Sequence, residues 1–146
     1  THGALTAKFY LQNLDRVNSW DLVDLSAPSI LGPYLAGADR SLLYKLAKSK
    51  NVWKRRVAII TTLHFIRNDD LDDIFRIAQM LLNDEHDLIQ KAVGWMLREA
   101  GKRDAVAEEK FLRSHYQKMP RTMLRYAIER FPEKKKRFFM RSGDER

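Results

Sequence analysis

Asn51-Val52-Trp53-Lys54-Arg55-Arg56-Val57-Ala58-Ile59-Ile60 reads as the opening of a helix. Asn51 is its natural cap, and Ile59, Ile60, Leu63 and Phe65-Ile66 continue its apolar pattern. Within it, Arg56-Val57-Ala58-Ile59 sets a basic residue ahead of alanine and β-branched residues. The grouping returns at Lys91-Ala92-Val93 and at Arg125-Tyr126-Ala127-Ile128. That spacing of roughly 35 residues falls within the range of helical repeat arrays. Units of this kind cannot bury their apolar faces alone, so they stack into a curved solenoid with a concave surface. The fold class read from this recurrence is all-α.

Working outward, almost every segment carries helical spacing. Helices are expected over 5–14, over 18–35 with a break near Pro28, over 41–48 and over 51–66. Asp69-Asp70 is read as the cap of the next helix, which carries Leu71, Ile74, Phe75, Ala78, Leu81 and Leu82. Asp84 to Asp87 opens another, and Gly101 is read as its stop. Helices over 104–118 and 121–131 complete the series, with Pro120 and Pro132 at helix starts. No segment alternates as a strand between turn signals.

A chain of 146 residues, 45% of them hydrophobic, is long enough for one domain with a substantial core. Its opening residues, which lack an initiator Met and run straight into helical pattern, are read as a fragment missing upstream repeats. There is no apolar run long enough for a transmembrane helix and no secretion-signal pattern at Thr1-His2-Gly3-Ala4. Cysteine is absent, which excludes disulfides and thiolate-bound metal. These features set the expectation of a cytoplasmic protein. The net charge of +8 makes a polyanion, nucleic acid above all, the first partner to consider.

On helical wheels the charge gathers into stripes. Lys91, Trp95 and Arg98 fall on one helix face, and Arg121 and Arg125 share another. In the stretch Asn18-Ser19-Trp20-Asp21-Leu22-Val23-Asp24, Trp20 and Asp24 lie four apart and share a face. If the repeats stack, these stripes join into a basic groove set with aromatic side chains, where cations meet phosphates and indoles offer flat apolar contact. Trp53 is read as core. Trp95 suits either packing or a site, and Asp24 alone suits either a surface carboxylate or a functional one. Lys134-Lys135-Lys136-Arg137 is read as a solvated run. Asp84-Glu85-His86-Asp87 is an acidic helix start, since no metal-ligand spacing accompanies it.

Three ordered motifs carry a resemblance. Asn18-Ser19-Trp20-Asp21-Leu22-Val23-Asp24, Asn51-Val52-Trp53-Lys54-Arg55-Arg56-Val57-Ala58-Ile59 and Lys91-Ala92-Val93-Gly94-Trp95-Met96-Leu97-Arg98-Glu99 together resemble the AlkD-like DNA alkylation repair glycosylases, over roughly Leu5 to Phe131. The resemblance, to the C-terminal portion of such proteins, implies a HEAT-like solenoid that binds duplex DNA. It implies excision of positively charged N3- or N7-alkylated purines without base flipping, and neither cofactor nor metal. It also implies that Asp24 is the catalytic carboxylate, that Trp20 and Trp95 are paired indoles against the deoxyribose, and that Arg56 is the active-site arginine. Ser19 stands where many members carry a further tryptophan. Two other readings stay open: a noncatalytic nucleic-acid binder using Lys91, Arg98, Arg121 and Arg125, and a helical scaffold for a protein partner.

Overall fold

The computed structural model describes residues 2–13, 23–24, 26–37 and 39–144. Among them the regular elements are all helical: α1 (His2–Gln12), a π-helical stretch (Ala27–Leu31) running into α2 (Gly32–Ala36), α3 (Ser41–Ala47), α4 (Val52–Arg67), α5 (Asp72–Met80), α6 (Asp87–Arg103), α7 (Ala105–His115) with a 3₁₀ turn (Tyr116–Lys118), α8 (Arg121–Ala127) and α9 (Glu133–Asp144). The helices pair. Helix α4 packs on α6 and α6 on α8, forming one row, while α3, α5 and α7 lie behind them. The rear row is joined by contacts such as Phe75 stacked on Phe111, ring centroids 5.4 Å apart. All three recurrences of the basic–alanine–β-branched grouping fall on the first row, and Val57, Ala58, Ile59, Ala92, Val93, Ala127 and Ile128 are buried there. This pairing agrees with a helical repeat.

Helix α4 is the centre of the packing. The π-helical stretch, α2, α3, α5 and α6 all touch it, so its residues from Arg56 to Leu63 are buried without interruption. An amphipathic stripe is therefore missing from α4, because neighbours cover it on every side. The buried hydroxyls of Thr61 and Thr62 are satisfied by the carbonyls of Val57 (2.6 Å) and Ile59 (2.5 Å). Asn51 caps the helix as expected, its Oδ1 accepting from the backbone N–H groups of Trp53 and Lys54 at 2.9 and 3.2 Å.

Several expectations change. The first helix starts at His2 rather than near Leu5. Only part of the Asp69-Asp70 cap is kept: Asp69 closes a tight turn at φ 62°, while Asp70 Oδ1 accepts from the Asp72 N–H at 3.4 Å and Oδ2 receives the Arg40 guanidinium at 2.7 Å. Arg40 also reaches Asp73 at 2.5 Å, and Tyr44 Oη donates to the same carboxylate at 2.6 Å, tying the start of α3 to α5. Burial and the neighbouring Asp73 push the Tyr44 hydroxyl up to about 12. Gly101 does not end α6, which runs on to Arg103. The helix stops at Asp104, whose extended backbone (φ −149°, ψ 92°) closes α6 while its side chain caps α7 by accepting from Ala107 N–H at 3.0 Å. The Lys134–Arg137 run is solvated as expected, with Lys134, Lys135 and Arg137 exposed, but it lies within α9. That helix buries Phe139 completely, edge-on to Phe131 and Tyr116.

Gly94 sets the closest approach in the front row. A Cβ there would lie 2.5 Å from the Met123 carbonyl oxygen and 2.5 Å from Tyr126 Cβ, so α6 and α8 touch backbone to backbone. Gly94→Ala should lower unfolding free energy by roughly 1–3 kcal/mol, the usual cost of overpacking. Urea denaturation checks it, and an unchanged midpoint would mean that α8 can shift freely.

Candidate active site

The main chain near Asp24 is set by two prolines. A proline has no N–H, so Pro28 cannot bond the Asp24 carbonyl and Pro33 cannot bond that of Ser29. The chain widens into a π-helical turn instead, closed by Gly32 N–H on the Ala27 carbonyl. Gly32 then lies directly against α4, where a Cβ would come within 2.3 Å of His64 Cβ. Only a glycine lets the two backbones meet there, which brings Asp24 over the middle of α4.

Arg56, buried in α4, meets Asp24 side-on. Its Nε donates to Oδ1 at 3.0 Å and its Nη2 to Oδ2 at 2.9 Å, a two-point fork of the kind guanidinium and carboxylate favour. Its Nη1 donates to the carbonyl of Leu88 at the start of α6. The side chains are 7% and 13% exposed, so the pair is screened far less than a surface salt bridge. Each carboxylate oxygen still has a second acceptor position.

Asp24 opens onto a cavity of about 360 Å³ that it lines together with Pro28, Ser29, Pro33, Leu63, His64, Arg67 and Trp95. The half-buried Trp95 lies two turns into α6. Arg67, exposed at the last turn of α4, has no carboxylate partner among the described residues. Burial, then the charges of Arg40 and Arg67, lower the His64 imidazole below its ordinary value, so it is neutral at pH 7. The cavity thus offers one anion, one flat indole, one uncommitted cation and one neutral imidazole.

Of the residues singled out from sequence, Asp24, Arg56 and Trp95 come together here, Arg56 by holding Asp24 from below. Trp20 lies outside the described residues. Lys91 is half-buried and pairs with Asp87 at 2.9 Å. Arg98 is paired with Glu129 and, with Arg125, Tyr126, Ile128, Glu129, Lys136 and Met140, lines a separate groove of about 600 Å³. Arg121 donates to the Met140 carbonyl at 3.2 Å. Sequence reasoning missed His64 and Arg67. Their spacing was the available signal: Arg56, Leu63-His64 and Arg67 recur at helical intervals along one face of α4.

Paired helices presenting a clamped carboxylate beside an indole, at the mouth of a cavity with a free arginine, define an all-helical protein with a site suited to a cationic or polyanionic ligand. The sequence profile of the DNA alkylation repair enzyme family matches residues 2–131, and the chain belongs to that family. The match reaches from α1 past the end of α8 and so takes in every residue of this site. Comparison with curated proteins finds no match.

Proposed function

We propose that this chain is a DNA glycosylase that removes N3- and N7-alkylated purines from duplex DNA. The observation that carries the reading is Asp24, anchored by Arg56 and facing a cavity it shares with Trp95. Alkylation at N3 or N7 makes the purine cationic and a good leaving group. As the glycosidic bond breaks, positive charge moves to the sugar, and the transition state becomes oxocarbenium-like. A carboxylate held before the reaction begins stabilises that charge without reorganising. It also orients the water that attacks C1′. The base departs neutral, so the leaving group needs no general acid, and no metal is called for.

In this reading the helical pairs form a HEAT-like solenoid whose concave face is basic and receives the duplex. Trp20 and Trp95 serve as the paired indoles against the deoxyribose. Lys91, Arg98, Arg121 and Arg125 hold phosphates along the groove. Contact through sugar and backbone removes the need to extrude the base, which costs a few kcal/mol. The deciding assay is base release from methylated duplex DNA.

Arg67 extends the same proposal, since an unpaired guanidinium at the cavity mouth suits a phosphate beside the lesion. Arg67→Ala should reduce the slope of log affinity against log salt by about one, the loss of a single phosphate contact. Fluorescence anisotropy at several salt concentrations measures it, and an unaltered slope would remove Arg67 from the interface.

One observation favours a second reading. Both oxygens of Asp24 accept from Arg56, which is also what a purely structural clamp would look like. A noncatalytic DNA-binding member would keep the pair and release no base.

A further inference from the structure

Glu108 lies in the first turn of α7, where an acidic side chain ordinarily stands in water and faces the helix dipole. Here it is only 3% exposed. Its Oε1 occupies the space beside Gly101, where a Cβ would come within 1.9 Å of it. Gly101, inside the last turn of α6, therefore serves as a cradle for this carboxyl. Oε2 is buried and has no hydrogen-bond partner among the described residues. Leaving such a group unmatched costs free energy, and nothing in the packing of α6 on α7 requires a carboxyl there.

Glu108 lines a cavity of about 370 Å³ between α6, α7 and the start of α9. The wall carries Arg98 and Lys102 from α6, Arg130 from the turn after α8 and Lys135 from α9, with Glu109 beside Glu108 on α7. Lys102 is bound to Glu99 at 2.7 Å, Lys135 to Glu109 at 2.6 Å, and Arg98 to Glu129. These pairs are partly exposed and easily shared with an incoming anion. Arg130 is exposed and has no partner among the described residues. The carboxylates of Glu99, Glu109 and Glu129 offset three of these four cations and Arg130 is left in excess, so the balance of charge favours an anion over a cation.

We propose that this cavity is a binding site for a phosphate group, with Glu108 donating a hydrogen bond from its floor and Arg130 as the free cation at its rim. A neutral carboxylic acid supplies the O–H donor such a site needs, and O–H···O⁻ bonds are among the stronger ones. Burial raises Glu108 to about 8, against the opposing pull of Arg98 and with a smaller push from Glu109, so the acid keeps its proton at pH 7. The phosphate comes either from free inorganic phosphate or from a nucleic-acid backbone. The site is separate from the Asp24 cavity, and Lys135 lies beyond the residues that the family profile matches.

The test uses the full ¹⁵N-labelled chain, titrated with inorganic phosphate and separately with a short unmodified duplex. Saturable shifts are expected at Gly101 and Arg130. Arg130→Ala, which breaks no hydrogen bond or ion pair among the described residues, should weaken phosphate binding roughly tenfold. Glu108→Gln keeps a neutral donor and should retain binding within roughly threefold of wild type. Between about pH 7 and pH 9 the wild type should lose roughly tenfold in affinity, more than the Gln variant does, because only Glu108 can ionise. The ionisation of phosphate and the charges of Lys102, Lys135, Glu109, Arg98 and Arg130 are common to both proteins. Shifts that never saturate, an Arg130→Ala variant that binds normally, or identical pH profiles would each overturn the proposal. Duplex shifting the same resonances, and being displaced there by phosphate, assigns the source to the backbone; shifts with phosphate alone assign it to the free ion. No arm reads base release, so the result is independent of the glycosylase reading.

Discussion

Asp24→Asn should lower release of 7-methylguanine from methylated duplex DNA by roughly 10²–10³-fold, the scale for losing one preorganised electrostatic group. The substitution keeps the shape and an oxygen to accept from Arg56, but it removes the negative charge that would face the sugar. Arg56 is then left nearly buried without a counter-charge, and breaking a buried ion pair costs up to about 3–5 kcal/mol. The assay must therefore run well below the variant's melting temperature, with circular dichroism showing retained helix. Duplex affinity should be largely kept, because an Asp contributes nothing favourable to phosphate binding. Full excision by a folded Asp24→Asn protein would take Asp24 out of the chemistry and leave the noncatalytic reading.

The second large effect is on stability and concerns Glu108. Its folded-state value of about 8 lies above the ordinary 4.5, so between those pH values the folded protein holds a proton that the unfolded chain has released. Stability from this group is thus complete below about pH 4.5, falls as pH rises and levels off above about pH 8. The difference corresponds to a loss on the order of 3 kcal/mol across that window, after allowance for relaxation of the site. Glu108→Gln removes the titration. The gap in unfolding free energy between variant and wild type should therefore widen in the variant's favour from acid to alkaline pH. Parallel urea titrations at several pH values measure it. A gap independent of pH would show that Glu108 is ionised and hydrated in the folded protein.

What was legible in the sequence followed from periodicity. Helices were readable because helical spacing and caps such as Asn51 and Asp104 are local signals, and the grouping at Arg56, Lys91 and Arg125 marked three helices that pack in one row. Asp24, Arg56 and Trp95 were readable as a set because the family resemblance put three motifs in order. The misreadings share a cause. Gly101 looks like a helix stop because glycine often is one, yet its missing side chain makes room for Glu108, seven residues on and in another helix. Glu108 carries no local signal of its burial, since an acid in a first helical turn is ordinarily solvated. Lys134–Arg137 is largely solvated as read, but its charges hide the apolar face of the same helix that Phe139 anchors. In each case tertiary contact assigned the residue a role that no neighbour in sequence could announce.

Arg56 binds Asp24, 32 residues before it, and Leu88, 32 residues after it. One guanidinium thus fastens the Asp24 segment, α4 and the start of α6 at a single knot. On the proposed glycosylase reading the pair that meets the sugar is also the fastening between these elements, so the site cannot loosen without the elements parting. Amide exchange along the Asp24 segment and at the first turn of α6 should therefore rise and fall together.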